Sequence, residues 1–285
     1  MKVKKAVIPA AGFGTRMLPA TKAIPKEMLP LVDRPSIHYI VEEAVKSGIS
    51  EILIITSRGK DELCDYFDYS PELEAKLRAS GREDDAEALR AIADMADITF
   101  IRQKEQHGLG HAIMCAKAFT GSEPFAVLLG DDVMVGNPPV TRQLLDVYEK
   151  TGCATVGVSY VPNDQISKYC SLDVTPVENR VMEVHKLIEK PRLDQIMSNY
   201  AILGRYVLTP EIYNMLEHLS AGYGGEIQLT DGLNALCQTQ KLLGVEYEGV
   251  RYDTGNLRGY LHATVQLALQ HPEVGEWFKE YLGNL

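Results

Sequence analysis

Short apolar runs built from β-branched and aliphatic residues recur along this chain, each followed by a longer amphipathic or charged stretch. In the first half they are Ala6-Val7-Ile8, Ile52-Leu53-Ile54-Ile55 and Phe125-Ala126-Val127-Leu128-Leu129. The second half continues with Ala154-Thr155-Val156-Gly157-Val158 and with strand-like stretches around Val184–Ile188, Gly204–Leu208 and Leu243–Glu248. Runs so short and so uniformly apolar read as strands buried on both faces, with crossover helices between them. The pattern predicts an α/β protein, Rossmann-like, with a mostly parallel mixed sheet flanked by helices.

Nothing in the 285 residues resembles a linker or a fixed-period repeat, so one catalytic domain over 1–285 is expected. Residues 60–97 gather Glu72, Glu74, Lys76 and Arg78, then Glu83, Asp84, Asp85 and Glu87, around Ala and Leu. They read as surface helices inserted between two strands, with the charges forming a solvated face. From about 257 to 285 apolar and polar positions alternate at helical spacing, and the single tryptophan, Trp277, lies there. This C-terminal helical segment is expected to pack on the core or on another subunit.

A formal net charge of -10 argues against nucleic acid as the main partner, because neutralising a phosphate backbone calls for a basic surface. A small phosphorylated ligand is still compatible, since a few local cations can dominate a pocket. Five scattered cysteines without a CxxC pair argue against a zinc site or a disulfide scaffold and fit a reducing compartment. The basic, then apolar N-terminus breaks at Gly12 and meets Arg16 too soon for a signal-peptide core. No apolar stretch is long enough to cross a bilayer, and the expected location is the cytoplasm, away from membrane and nucleic acid.

Directly after the first strand comes Ala10-Ala11-Gly12-Phe13-Gly14-Thr15-Arg16, where small residues let the backbone approach a ligand and aim N–H groups at phosphate oxygens. The third glycine of a dinucleotide fingerprint is missing, since Met17 stands there, and no GxxxxGK[ST] occurs. The sequel is more telling: Arg16, Lys22 and then Pro25-Lys26-Glu27-Met28-Leu29-Pro30, cations that can neutralise a triphosphate on a path fixed by prolines. Three further clusters follow strand-like runs: Gln103 to Ala112, containing Gly108 and His111; Gly130-Asp131-Asp132; and Ile188-Glu189-Lys190-Pro191. A glutamine amide can match an imide edge, carboxylates at a strand end suit a hard cation, and a Glu-Lys pair can meet hydroxyls and a phosphate.

The stretch AAGFGTRMLPATKAIPKEMLP resembles the signature of the sugar-nucleotide pyrophosphorylases, most closely their bacterial UDP-glucose branch, and the likeness runs over nearly the whole chain. It implies a nucleotidyltransferase fold, a divalent metal, usually Mg2+, and UTP and glucose 1-phosphate as the substrates of a homo-oligomer, dimer or tetramer. By that resemblance Ala11 and Gly12 lie near the nucleoside, and Gly14, Thr15, Arg16 and Lys26 face the triphosphate. Gln103 and Gly108 read the base, and Asp131 and Asp253 hold the metal with Asp132 beside them, toward ribose or a metal-bound water. Glu189 grips the sugar, Lys190 its phosphate, and Gly204 gives backbone access. Arg16, Lys26 and Lys190 are then the cations that let one anion attack another. Where the family generally has Tyr-Gly at the entrance to the sugar site, this chain has Tyr169-Cys170, and a side chain there is expected to crowd the hexose.

Competing readings are a pyrophosphorylase for another pair, such as dTTP with glucose 1-phosphate or UTP with galactose 1-phosphate, and a non-catalytic regulatory relative. An NAD-dependent dehydrogenase rests on Gly12 and Gly14 alone.

Overall fold

The structure is a computed structural model and describes residues 2–285. Its strands are β1 (Lys5–Pro9), β2 (Pro30–Leu31), β3 (Arg34–Pro35), β4 (Glu51–Thr56), β5 (Asp97–Arg102), β6 (Phe125–Leu128) and β7 (Asp132–Val135). They continue with β8 (Ala154–Tyr160), β9 (Cys170–Glu178), β10 (Val181–Glu189), β11 (Tyr200–Leu208), β12 (Leu242–Glu246) and β13 (Val250–Asp253). The helices are α1 (Ser36–Lys46), α2 (Glu62–Phe67), α3 (Pro71–Ala79), α4 (Glu83–Ala93), α5 (Leu109–Cys115) and α6 (Lys117–Thr120). Then come α7 (Val140–Thr151), α8 (Glu211–Glu217), α9 (Leu229–Leu236), α10 (Leu257–Gln270) and α11 (Gly275–Gly283).

Nine strands form one mixed sheet in the order β5-β4-β1-β6-β11-β8-β12-β10-β9. The first four run parallel, as βαβ crossovers require, and β12 runs parallel to β8. Antiparallel pairing enters where β11 slots between β6 and β8, and again at the edge through the β9–β10 hairpin. Alternation along β1 sends Val7 to one face and Ala6 and Ile8 to the other. Val7 joins a core with Ile113, Ile212, Leu216 and Leu233 from α5, α8 and α9. Ala6 and Ile8 join Ile37, Ile40, Val41, Leu144 and Leu145 from α1 and α7. Burial on both faces is the reason these strands carry no polar alternation.

Residues 60–97 contain α2, α3 and α4. Pro71 opens α3 at a position where its missing N–H costs nothing, and Glu83, Asp84 and Asp85 occupy the first turn of α4, where the helix dipole favours negative charge. Of the charged residues on α2, α3 and α4, Glu74 is the buried one, receiving Arg78 and Arg90. At the other end α10 is capped by Asn256, whose side chain accepts from the Gly259 N–H, and Tyr260 ties the helix to the Pro30 carbonyl. Among the described residues no helix is long and apolar enough to cross a membrane.

Candidate active site

The carboxyl ends of β1, β5 and β6 converge on one side of the sheet, where a parallel sheet offers the crevice between its loops. After Pro9 the chain turns over, held by Ala10 N–H donating to the Ile55 carbonyl. Gly14 is left-handed (φ 67°) and caps a 3-10 turn over Thr15–Met17. A Cβ there would sit 3.3 Å from the Lys26 Cβ, so the glycine lets the two basic segments close on each other. A Cβ at Gly12 would meet open space, as befits a backbone facing a ligand.

Lys26 reaches across to Asp131, Nζ to Oδ2 2.7 Å, and Arg16 Nη2 stands 3.9 Å from the same oxygen. Burial pushes the Lys26 ammonium down, but Asp131 and Glu27 outweigh it and hold its pKa above the ordinary value. Burial likewise raises Asp131, yet Lys26 and the two arginines, Arg16 and Arg251, keep its carboxyl below the usual range. Behind this pair lies a second one that sequence reasoning missed. Lys60 donates to Glu27 Oε2 at 2.8 Å and to the Ala10 carbonyl at 2.6 Å, tying the glycine loop to the basic loop in the interior.

A cavity of about 280 Å3 opens beside the loop, lined by Ala11, Gly12, Lys26, Gln103, Gly108 and Asp131, with Leu109 and Leu129 in its wall. Gly14, Thr15 and Arg16 stand outside that lining, Thr15 and Arg16 exposed. Gly108 (φ 99°) begins α5 so close to the Ile227 carbonyl that a Cβ would lie 2.7 Å from it, and no other residue type fits. Gln106 spans to the Ala11 carbonyl at 3.0 Å, a contact the sequence did not announce.

A second cavity of about 150 Å3 shares Leu109 and Leu129 with the first. Asp132, Tyr169, Cys170, Glu189, Gly204, Thr230 and Arg251 contribute to its lining. Asp132 therefore sits with the second cavity rather than with the predicted nucleotide set: it is buried, and Arg251 Nη2 lies 2.6 Å from its Oδ1. Burial lifts its pKa to about 6 despite Arg251. Arg251 also stacks over the Tyr169 ring and approaches the Tyr169 hydroxyl at 3.3 Å. Glu189 accepts from Thr230 Oγ1 at 2.7 Å. Lys190 takes a positive φ of 43°, which its N–H bond to the Tyr169 carbonyl supports, and its side chain is exposed.

Cys170 is fully inside. Its Sγ accepts from the Ile202 N–H at 3.3 Å, and burial pushes the thiol up to about 12, so it packs as a small apolar side chain. Gly204 (φ 68°) backs onto Asp132, and a Cβ there would come within 2.9 Å of the Asp132 Cβ and closer still to its carboxylate. Gly204→Ala is accordingly expected to cost about 1–3 kcal/mol in strain, read as a lower denaturation midpoint, and to displace Asp132.

Asp131 Oδ2 and Asp253 Oδ1 lie 2.7 and 3.1 Å from the point that a Cβ on Gly255 would fill. Thr254 fixes the Asp131 carbonyl through both its N–H (2.8 Å) and its hydroxyl (2.9 Å), and Gly255 N–H donates to Asp253. Two carboxylate oxygens around a small cradle suit a hard divalent ion that takes its remaining ligands from water and phosphate. Among the described residues no group of three or more His, Cys, Asp or Glu is gathered to hold a metal by protein ligands alone.

A glycine-loop cavity with Lys26 and Asp131 in its lining abuts a smaller one lined by Asp132, Glu189 and Arg251, an arrangement suited to an enzyme that brings two ligands together at consecutive aspartates. Residues 5–270 match the family described as nucleotidyl transferase, and the chain belongs to that family. It is 49% identical, over its whole length and 97% of the relative's, to the UTP–glucose-1-phosphate uridylyltransferase of Bacillus subtilis. Of solved structures, it is similar to a UTP-bound UGPase from Acinetobacter baumannii, with TM-score 0.92, 36% identity and 99% of both chains covered. It is also similar to a UDP-glucose pyrophosphorylase complexed with UDP-glucose, with TM-score 0.86, 39% identity, and 94% of this chain and 100% of the other covered.

Proposed function

We propose that this chain is a UTP–glucose-1-phosphate uridylyltransferase, which transfers the uridylyl group of UTP to glucose 1-phosphate and releases pyrophosphate. The observation that carries the reading is the pair of adjoining cavities, with Asp131 in the lining of one and Asp132 in that of the other. The names of its relatives, together with Gln103 in the first cavity and Glu189 in the second, support uridine and glucose as the pair bound there.

In this reading an oxygen of the sugar phosphate attacks the α-phosphorus of UTP in line, and no protein nucleophile is needed. Two unit anions ~4 Å apart at an effective dielectric near ~20 repel by roughly 4 kcal/mol, so charge neutralisation and alignment are the work of the protein. Lys26 and Arg16 neutralise the triphosphate, Lys190 the sugar phosphate, and Glu189, held by Thr230, takes sugar hydroxyls. Mg2+, held by Asp131 and Asp253, would supply further charge neutralisation at the phosphates. A cytoplasmic setting fits five free cysteines, and a homo-oligomer fits the exposed Leu257, Leu261, Trp277 and Tyr281 of α10 and α11.

Pyrophosphate release on mixing the protein with UTP, glucose 1-phosphate and Mg2+ is the expected result. The same panel carries dTTP, CTP and galactose 1-phosphate. Faster turnover with dTTP would reassign the nucleotide, and no release with any pair would replace the enzyme by a binding protein.

A further inference from the structure

Gln103 is buried just past the carboxyl end of β5, and its side-chain amide group is engaged within the protein. Nε2 donates to the Gly108 carbonyl at 3.2 Å and lies 2.9 Å from Nδ1 of His111. The carbonyl oxygen Oε1 is the group of this amide left for a ligand in the first cavity, which Gln103 lines. A glutamine amide is nearly symmetric in shape, so its neighbours alone decide which end points where. The Gly108 carbonyl can only accept. Nδ1 of a neutral imidazole accepts when the ring proton sits on Nε2. Flipping the amide would set Oε1 against the Gly108 carbonyl and forfeit that bond, and would oblige His111 to carry its proton on Nδ1.

We infer that His111 is a positioning residue that locks the Gln103 amide with its acceptor toward the base, so that a pyrimidine bearing an N3–H donor is taken and cytosine is refused. Uracil and thymine carry that donor, whereas cytosine presents a lone pair at the same place, opposite another lone pair on Oε1. The inference rests on the proposed function, in which Gln103 meets the base.

His111 is the third residue of α5 and half-buried. The ring of His107 meets it edge-on, centroids 5.1 Å apart, and Glu105 Oε2 lies 2.7 Å from Nε2 of His107, so the nearby carboxylate engages the outer ring. Burial, and then His107, hold the His111 pKa below the ordinary value, which favours the neutral ring, and the Gln103 Nε2 donor beside Nδ1 favours the tautomer with its proton on Nε2. The family-like segment Gly108-Leu109-Gly110-His111-Ala112 thereby gains a reason for its histidine that its helix-start position did not supply.

The test compares the unaltered protein, His111→Phe and His111→Asn for UTP and CTP, by calorimetric binding and by steady-state turnover with glucose 1-phosphate. Phenylalanine keeps a ring and removes the acceptor, while the Asn Oδ1 falls near the place of Nδ1. H111F should lower the UTP-over-CTP preference by about tenfold or more, chiefly through weaker UTP binding and a higher KM, with kcat little changed. H111N should restore the preference to within about threefold. If H111F proves unfolded by circular dichroism, His111→Leu carries the same comparison.

A preference unchanged in a folded H111F or H111L overturns the inference, as does H111N behaving like H111F. So does an unaltered protein that binds the two nucleotides equally. An unaltered protein that prefers UTP over CTP in binding, loses that preference in H111F and turns over neither nucleotide would overturn the proposed reaction and leave the role of His111 standing.

Discussion

Asp131→Asn should lower kcat/KM for UTP with glucose 1-phosphate by about a thousandfold or more at saturating Mg2+, while the protein stays folded. The carboxylate serves several partners at once. It holds Lys26 at 2.7 Å, it stands 3.9 Å from Arg16, and with Asp253 it flanks the cradle beside Gly255. Asparagine keeps the size but not the charge, so in the proposed metal site Asp253 is left as the one anionic ligand, and Lys26 loses the larger of the two charges, Asp131 and Glu27, that hold it protonated despite burial. The backbone of the turn is unaffected, because Thr254 grips the Asp131 carbonyl oxygen and not its side chain. A stability loss of about 1–3 kcal/mol is expected for the orphaned lysine, far short of unfolding. Steady-state kinetics over a Mg2+ titration, beside a denaturant melt, separates the two effects. A folded variant with kcat/KM within tenfold of the original would remove Asp131 from the metal set.

What the sequence disclosed, and what it hid, follows from how far each signal reaches. β1, β4 and β6 are apolar on both faces, so they stand out in any window of a few residues. β9 is buried for three residues and then runs out into solvent, and β7 and β13 pair as a short two-stranded ribbon. β9 and β13 leave no apolar run to find, and β7 leaves only the three residues Val133-Met134-Val135. The candidate site divides the same way. Charged residues that directly follow a strand were legible as clusters, because the topology puts strand ends together. Lys60 and Glu27 are 33 positions apart, and Arg205 and Glu43 are 162 apart, and nothing local marks either pair. Nothing local marks Arg251 either, and its stacking on Tyr169 emerges once β13 is laid beside β7. Cys170 lines the second cavity, and what the sequence does not show is that its sulfur accepts from the Ile202 amide.

Arg205→Met is expected to cost about 3–5 kcal/mol of folding stability. Arg205 is wholly buried and forked onto Glu43, Nη2 to Oε2 2.6 Å and Nε to both oxygens at 3.1 Å. Two of its remaining donors go to the Asp132 carbonyl at 2.7 Å and the Gly204 carbonyl at 2.9 Å, so one guanidinium holds two site loops from beneath. Methionine fills much of the volume but leaves Glu43 as a buried carboxylate whose partners are the N–H and hydroxyl of Thr141. Adding Glu43→Gln removes that stranded charge and keeps an acceptor for Thr141, so the double variant should recover about half of the loss or more in a denaturant melt. Turnover should not follow. The Asp132 and Gly204 carbonyls remain without their donor in the double variant, and the Asp131–Asp132 turn and Gly204 are free to shift by the fraction of an ångström that alignment of two phosphates does not tolerate. Recovery of stability together with activity would mean that the pair only stabilises the fold, and a single-variant loss under about 1 kcal/mol would mean that burial of the guanidinium had cost nearly all that its hydrogen bonds return.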